Sequence, residues 1–136
     1  MSNSGNLIVI AFSRDSEVGI DIEKIRPLPD LDDLIHKNFT SSEIKFITSR
    51  TEEKINRFFR FWTVKESYLK ATGEGMRLRP DNIEFTMDNE KIRQLSLKGV
   101  FEQEDWNFKE FSMGKGYVGT VTYVLDNTVI KQLQYF

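Results

Sequence analysis

Glu52–Thr72, EEKINRFFRFWTVKESYLKAT, decides the fold of this chain. Ile55, Phe58, Phe59, Trp62 and Leu69 recur at helical spacing, which predicts one long helix with an apolar stripe. Thr51 is the expected N-cap, with Glu52 and Glu53 favourable in the first turn. Gly73 and Gly75 follow as stop signals. A helix over residues 52–72 would run roughly 30 Å, the width of a small domain. The Phe58–Phe59–Phe61–Trp62 cluster is expected to be core.

Upstream, Leu7–Phe12 is a short apolar run that reads as a strand buried on both faces. Val18–Ile25 alternates, with Val18, Ile20 and Ile22 on one side and Asp21 and Glu23 on the other, and reads as a second strand. The two are expected to pair as a hairpin. Pro27 and Pro29 end the second strand. Leu31–Phe39 has helical spacing, and Thr40-Ser41-Ser42-Glu43 fits a capping box for a short helix ending near Arg50. Downstream, Asn82–Met87 and Lys91–Leu97 read as strands about the Asp88-Asn89 turn. Trp106–Ser112 and Gly116–Leu125 flank a Met113-Gly114-Lys115 turn. Val129–Phe136 is a last strand after Asp126-Asn127. Two strands, three helices and an antiparallel set predict a single α+β domain over residues 1–136, its antiparallel sheet packed against the long helix.

Composition narrows the function. The chain has 136 residues, enough to bury roughly two-thirds of its unfolded surface. Its net charge of −2 lacks the basic excess usual for a nucleic-acid binder. With no cysteine and a single histidine, His36, it has no thiolate or two-histidine metal site, which leaves a hard cation held by carboxylates. There is no membrane-length apolar run and no leader, so a cytoplasmic setting is expected.

Asp21 and Glu23 lie two apart on a strand and leave the same face. Alone, the pair is most simply the wet face of an edge strand, where acid pairs are common, and a cation site is the rarer alternative. Glu66 and Lys70 share a face of the long helix, as a surface ion pair would. Glu66 also follows Trp62 by four, on the aromatic side, where a partly buried carboxylate needs a partner.

Taken together, Gly19-Ile20-Asp21-Ile22-Glu23 and Trp62-x-x-Lys65-Glu66-Ser67-Tyr68-x-Lys70 resemble the paired signature of the 4′-phosphopantetheinyl transferase superfamily. Gly73-x-Gly75 also fits. Ser2-Asn3-Ser4-Gly5 resembles the Ser-His-Ser-Gly of the large, surfactin-synthetase-activating type, with Asn3 in place of the histidine that helps hold the 3′-phosphate of coenzyme A. The chain thus resembles the C-terminal half of the large type.

The resemblance implies Mg2+, with Mn2+ as a substitute, held by Asp21, Glu23 and Glu66. It implies coenzyme A as co-substrate, contacted by Lys65, Lys70, Asn3 and Ser4, with Glu66 and Lys70 as catalytic residues. The implied partner is an apo acyl or peptidyl carrier protein, with neither nucleic acid nor membrane involved. The alternative is a truncated, non-catalytic domain that keeps the metal or carrier site. Glu43 matches a family glutamate, although its capping role explains it without catalysis. Lys37, Lys45, Arg50, Arg57 and Arg60 could form a basic surface for an acidic carrier helix, or a solvated face. An isolated half is expected to self-associate as a homodimer.

Overall fold

The computed structural model describes residues 1–74, 77–88, 91–97 and 106–124. The chain folds as β1 (Ser2–Ser4), β2 (Leu7–Val9), β3 (Val18–Lys24), α1 (Leu31–Asn38), α2 (Ser41–Thr48) and α3 (Lys54–Thr72). The strands β4 (Ile83–Asp88), β5 (Lys91–Leu97), β6 (Trp106–Phe111) and β7 (Tyr117–Val124) follow. The β3, β7 and β6 strands form an antiparallel sheet in that order, and β4–β5 and β1–β2 are separate antiparallel hairpins. The expected α+β class holds. Gly75, the Asn89 turn position, the Asp126-Asn127 turn and the strand expected over Val129–Phe136 lie outside the described residues.

The long helix organises the molecule through two unlike faces. Its aromatic face carries Phe58, Phe59, Phe61 and Tyr68, all at most 3% exposed, and packs against Ile35, Ile47, Ile83 and Phe85. Tyr68, Phe85 and Phe108 meet edge to face or tilted, the Phe85–Phe108 centroids being 5.0 Å apart at 88°. Edge-to-face geometry suits the ring quadrupole. Trp62 is half-buried and stacks on Phe58.

The other face is small and hydroxylated. Thr63 Oγ1 lies 3.1 Å from Thr120 Oγ1, and Ser67 Oγ lies 2.7 Å from Thr122 Oγ1, all buried. Short side chains let α3 approach β3 and β7 closely while each hydroxyl keeps a partner. Gly19 completes this seam. A Cβ there would overlap the Ser67 carbonyl oxygen and lie 2.5 Å from the Ala71 nitrogen. Gly19→Ala is therefore expected to lever α3 away from β3. Overpacking of this kind costs about 1–3 kcal/mol, and urea unfolding measures it. A variant as stable as the unmodified chain would show that the helix does not depend on this close approach.

Three local expectations are corrected. Leu7–Phe12 is not a doubly buried strand. Only Leu7–Val9 is extended, paired with Ser2–Ser4, and Ile8, Ile10 and Phe12 are 69%, 53% and 88% exposed. An apolar run reports what a segment could bury, not whether another element covers it. Nor do β2 and β3 form a hairpin. Instead β3 pairs with β7 from Val18↔Tyr123 to Lys24↔Tyr117, because the long-range partner offers a full seven-residue register. Thr51 does not cap α3. Thr51–Glu53 is a 3-10 turn, with the Glu53 N–H donating to the Arg50 carbonyl at 3.2 Å, and the α-helix starts at Lys54.

Other signals read correctly. The Thr40 capping box forms in both directions. Gly73 ends α3 in the left-handed region, at φ +67°. Gly114 and Gly116 carry positive φ between β6 and β7.

Candidate active site

The alternation of β3 puts Gly19, Asp21 and Glu23 on the face that meets α3. Gly19 admits the helix, and the next two positions on that face carry carboxylates. Lys70, one turn beyond Glu66 on α3, reaches across so that its Nζ donates to Asp21 Oδ1 at 2.7 Å. Sequence spacing suggested a Glu66–Lys70 pair, but tertiary packing gives Lys70 to Asp21.

The strand β1 lies along the edge of β3 opposite β7. Ser2 Oγ donates to Asp21 Oδ1 at 2.8 Å, and Ser4 Oγ donates to Glu23 Oε2 at 3.0 Å. Arg26 Nη1 reaches the same Glu23 oxygen at 3.2 Å. Asp21 is 5% exposed, and its Oδ2 has no hydrogen-bond partner among the described residues.

Burial pushes the Asp21 carboxyl above its ordinary range, against the hydrogen bond and charge of Lys70. Ser2 also lowers it, and the Glu23 charge adds to the rise. Glu66 is raised as well, first by burial, then by the Asp21 charge, with Lys70 opposing and Glu23 adding. Asp21, Glu23 and Glu66 therefore share one electrostatic neighbourhood, where ionisation of one penalises the others. A bound cation would relieve that penalty. Their hard oxygen donors suit magnesium, and the orphaned Asp21 Oδ2 is a lone pair awaiting a partner. Among the described residues, no three His, Cys, Asp or Glu side chains are grouped closely enough to hold a metal ion between them, so the pair Asp21 and Glu23 is the donor set that fits, with Glu66 in electrostatic reach.

Lys65 lies elsewhere, and this corrects its expected place against coenzyme A. Its side chain is fully buried. Nζ donates to Glu43 Oε2 at 2.6 Å and to the carbonyls of Asn38, Pro80 and Ile83 at 3.2, 2.8 and 2.8 Å. It also sits 4.8 Å from the centre of the Phe39 ring. Glu43 in turn accepts from the Thr40 and Phe85 N–H groups at 2.9 and 2.8 Å. This buried pair joins the end of α1, the start of α2 and β4, so Glu43 is structural too.

Asn3 is exposed, on the opposite side of β1 from Ser2 and Ser4. The Ser4 hydroxyl is engaged by Glu23 and by the Lys24 N–H. The basic surface is only partly available. Arg57 folds onto the Phe46 ring and carbonyl, and Arg60 pairs with Glu110 at 2.8 Å. Lys37, Lys45 and Arg50 are exposed. His36 is exposed on α1, its Nδ1 2.7 Å from the Asp32 carbonyl oxygen.

Sequence reasoning missed Ser2 and the hydroxyl seam of Thr63, Ser67, Thr120 and Thr122. The shared two-residue spacing of Ser2-x-Ser4 and Asp21-x-Glu23 was the available signal. It becomes legible only once the two strands are known to be neighbours.

Comparison with known proteins bears on this arrangement. The sequence profile of the 4′-phosphopantetheinyl transferase superfamily matches residues 17–122. The 4′-phosphopantetheinyl transferase HetI of Nostoc sp. is 42% identical over 77 residues, which cover 56% of this chain and 32% of that protein. The L-aminoadipate-semialdehyde dehydrogenase-phosphopantetheinyl transferase of Xenopus laevis is 31% identical over 123 residues, or 81% of this chain and 41% of that one. The chain thus spans about a third to two-fifths of the length of these curated relatives.

Among solved structures, a holo-(acyl-carrier-protein) synthase from Bacillus anthracis in complex with CoA (3′,5′-ADP) superposes with a TM-score of 0.64 at 19% identity. It covers 79% of this chain and 94% of that one. The holo-[acyl-carrier-protein] synthase of Thermotoga maritima gives 0.62 at 19% identity, over 79% and 62%. At this identity the likeness concerns the fold. No helix among the described residues is long and apolar enough to cross a membrane.

Proposed function

The chain belongs to the 4′-phosphopantetheinyl transferase superfamily, and from that premise we propose that it transfers 4′-phosphopantetheine from coenzyme A to a serine hydroxyl of an apo acyl or peptidyl carrier protein. The observation that supports this reading is the Asp21–Lys70 ion pair between β3 and α3, with Glu23 and Glu66 within electrostatic reach of Asp21.

Asp21, Glu23 and Glu66 are the residues that would hold Mg2+, with Mn2+ as a substitute. The ion would supply positive charge to the pyrophosphate oxygens as the phosphoanhydride bond breaks. Lys70 is more than one-third exposed along its side chain and supplies a second positive charge at the mouth of the site. Its present bond to Asp21 keeps it beside the carboxylates and ready to turn toward an anionic substrate.

Glu66 is the candidate base for the attacking hydroxyl. In the metal-free chain, burial first and then the Asp21 charge raise its proton affinity, a rise that a bound cation would oppose. The carrier oxygen forms a bond to the phosphorus of the pantetheine phosphate. The bond to the bridging oxygen breaks, and adenosine 3′,5′-bisphosphate leaves with the electron pair. Asn3, exposed on the face of β1 away from Ser2 and Ser4, is read as a hydrogen-bond donor to coenzyme A.

The test is incubation of the chain with coenzyme A, Mg2+ and a panel of apo carrier proteins, read by intact mass. The expected result is addition of one phosphopantetheine group, abolished by chelation and restored by Mg2+ or Mn2+. Absence of modification on every carrier, together with absence of coenzyme A binding by calorimetry, overturns the reading.

A further inference from the structure

We infer that Ser2 and Ser4 are positioning residues that orient the Asp21 and Glu23 carboxylates toward a divalent cation, an inference that rests on the reading of this site given above. Each serine makes the same two-sided bridge. Ser2 Oγ lies 3.3 Å from the Ile22 nitrogen and 2.8 Å from Asp21 Oδ1. Ser4 Oγ lies 2.9 Å from the Lys24 nitrogen and 3.0 Å from Glu23 Oε2. A main-chain N–H can only donate, so each serine oxygen accepts from it. The one hydroxyl proton must then point at the carboxylate. The direction of both bonds is settled by connectivity alone.

This bridge does two jobs at once. It satisfies N–H groups on the edge of β3 opposite β7, an edge with no strand ladder among the described residues. It also ties one oxygen of each carboxylate to the backbone of its own strand. For Asp21, Oδ1 takes both Ser2 and Lys70, and Oδ2 is left buried without a partner. The rotamer held by Ser2 is therefore the one that presents a bare oxygen for ligation. Outer hydrogen bonds of this kind orient metal ligands.

The fold maintains the alignment of β1. The register Ser2↔Val9 to Ser4↔Leu7 holds it in a hairpin turned at Gly5, φ +56°. The Asn6 N–H donates to Tyr117 Oη at 3.3 Å, tying that turn to β7. Asn3, between the serines, faces the other way, so the device is the i, i+2 pair.

Manganese is the probe, with binding to the full chain measured by electron paramagnetic resonance. Ser2→Ala and Ser4→Ala are each expected to weaken Mn2+ binding on the order of 10- to 100-fold. Ser4→Thr, which keeps the hydroxyl on a half-buried position, is expected to restore it. Thr48→Ala removes an exposed hydroxyl bonded to the Ile44 carbonyl, far from the site in sequence, and is expected to bind as the unmodified chain does. Circular dichroism establishes that each variant is folded, and if Ser2→Ala is not, Ser4→Ala and its threonine rescue decide.

Unchanged Mn2+ affinity in the folded alanine variants overturns the positioning role and leaves the metal reading standing. Equal weakening in Thr48→Ala overturns it as well, since it would mark a general loss of stability. Failure of the unmodified chain to bind Mn2+ overturns the metal reading itself and this inference with it.

Discussion

Replacing Glu66 with glutamine is expected to lower carrier modification by about 10²- to 10⁴-fold while raising the melting temperature of the metal-free chain. The two effects have one cause. Glu66 is half-buried, and its ionised form is disfavoured first by burial and then by the Asp21 charge. Glutamine keeps the shape and removes the charge. It deletes the base and one oxygen donor, and it also removes a repulsion that the metal-free fold must sustain.

The pH dependence follows from the sign of the shift. A carboxyl whose folded value lies above its unfolded value holds its proton more tightly when folded. The stability this confers is complete below the unfolded value, about pH 4.3, and is lost as pH rises through the folded value. Glutamine does not titrate, so the melting advantage of the variant should be small near pH 4 and grow toward pH 7. Mg2+ should raise the melting temperature of the unmodified chain at pH 7 and raise that of the variant much less. Wild-type activity in the glutamine variant would remove Glu66 from the mechanism. A melting temperature below that of the unmodified chain at pH 7 would contradict the electrostatic account.

Lys65→Met is expected to cost about 3–5 kcal/mol of folding stability, a large part of the 5–15 kcal/mol typical of a domain. The side chains of Lys65 and Glu43 are both fully buried. Deleting the ammonium leaves the Glu43 charge inside the protein, where the Thr40 and Phe85 N–H groups only partly compensate. It also strips a donor from the Asn38, Pro80 and Ile83 carbonyls. Burial lowers the proton affinity of Lys65 and the Glu43 charge opposes this, which is why the pair must be treated as a unit.

Urea unfolding of Lys65→Met, Glu43→Gln and the double variant measures the coupling. The double variant should recover much of the loss, since it leaves no unpaired charge. Its KM for coenzyme A should match that of the unmodified chain at a temperature where both are folded. A large increase in that KM would return Lys65 to the coenzyme site.

How much was legible in advance depends on range. The long helix, the Thr40 capping box, the Gly73 stop and the β6–β7 turn are written in a few adjacent residues, because dihedral preference and local hydrogen bonds act over one or two turns of chain. The placing of Asp21 and Glu23 on one strand face also followed from periodicity, while a joint site with Glu66 was implied only by the motif. What β3 pairs with did not. Its alternating pattern declares which face is apolar but says nothing about whether β2 or β7 supplies the ladder, and β7 comes from the far end of the chain.

Lys65 shows the same boundary at a single residue. Its position beside Glu66 on α3 is a fact of sequence, and a lysine in that motif reads as a phosphate contact. Adjacent helical residues point about 100° apart. One of these two lies within electrostatic reach of the carboxylates of β3, and the other is enclosed by α1, α2 and β4. Sequence alone determined which charged groups the chain possesses and on which local face each stands. Only the tertiary structure decided which of them would be deprived of water, and burial is what turns a lysine into a structural pin and a serine into a guide for a carboxylate.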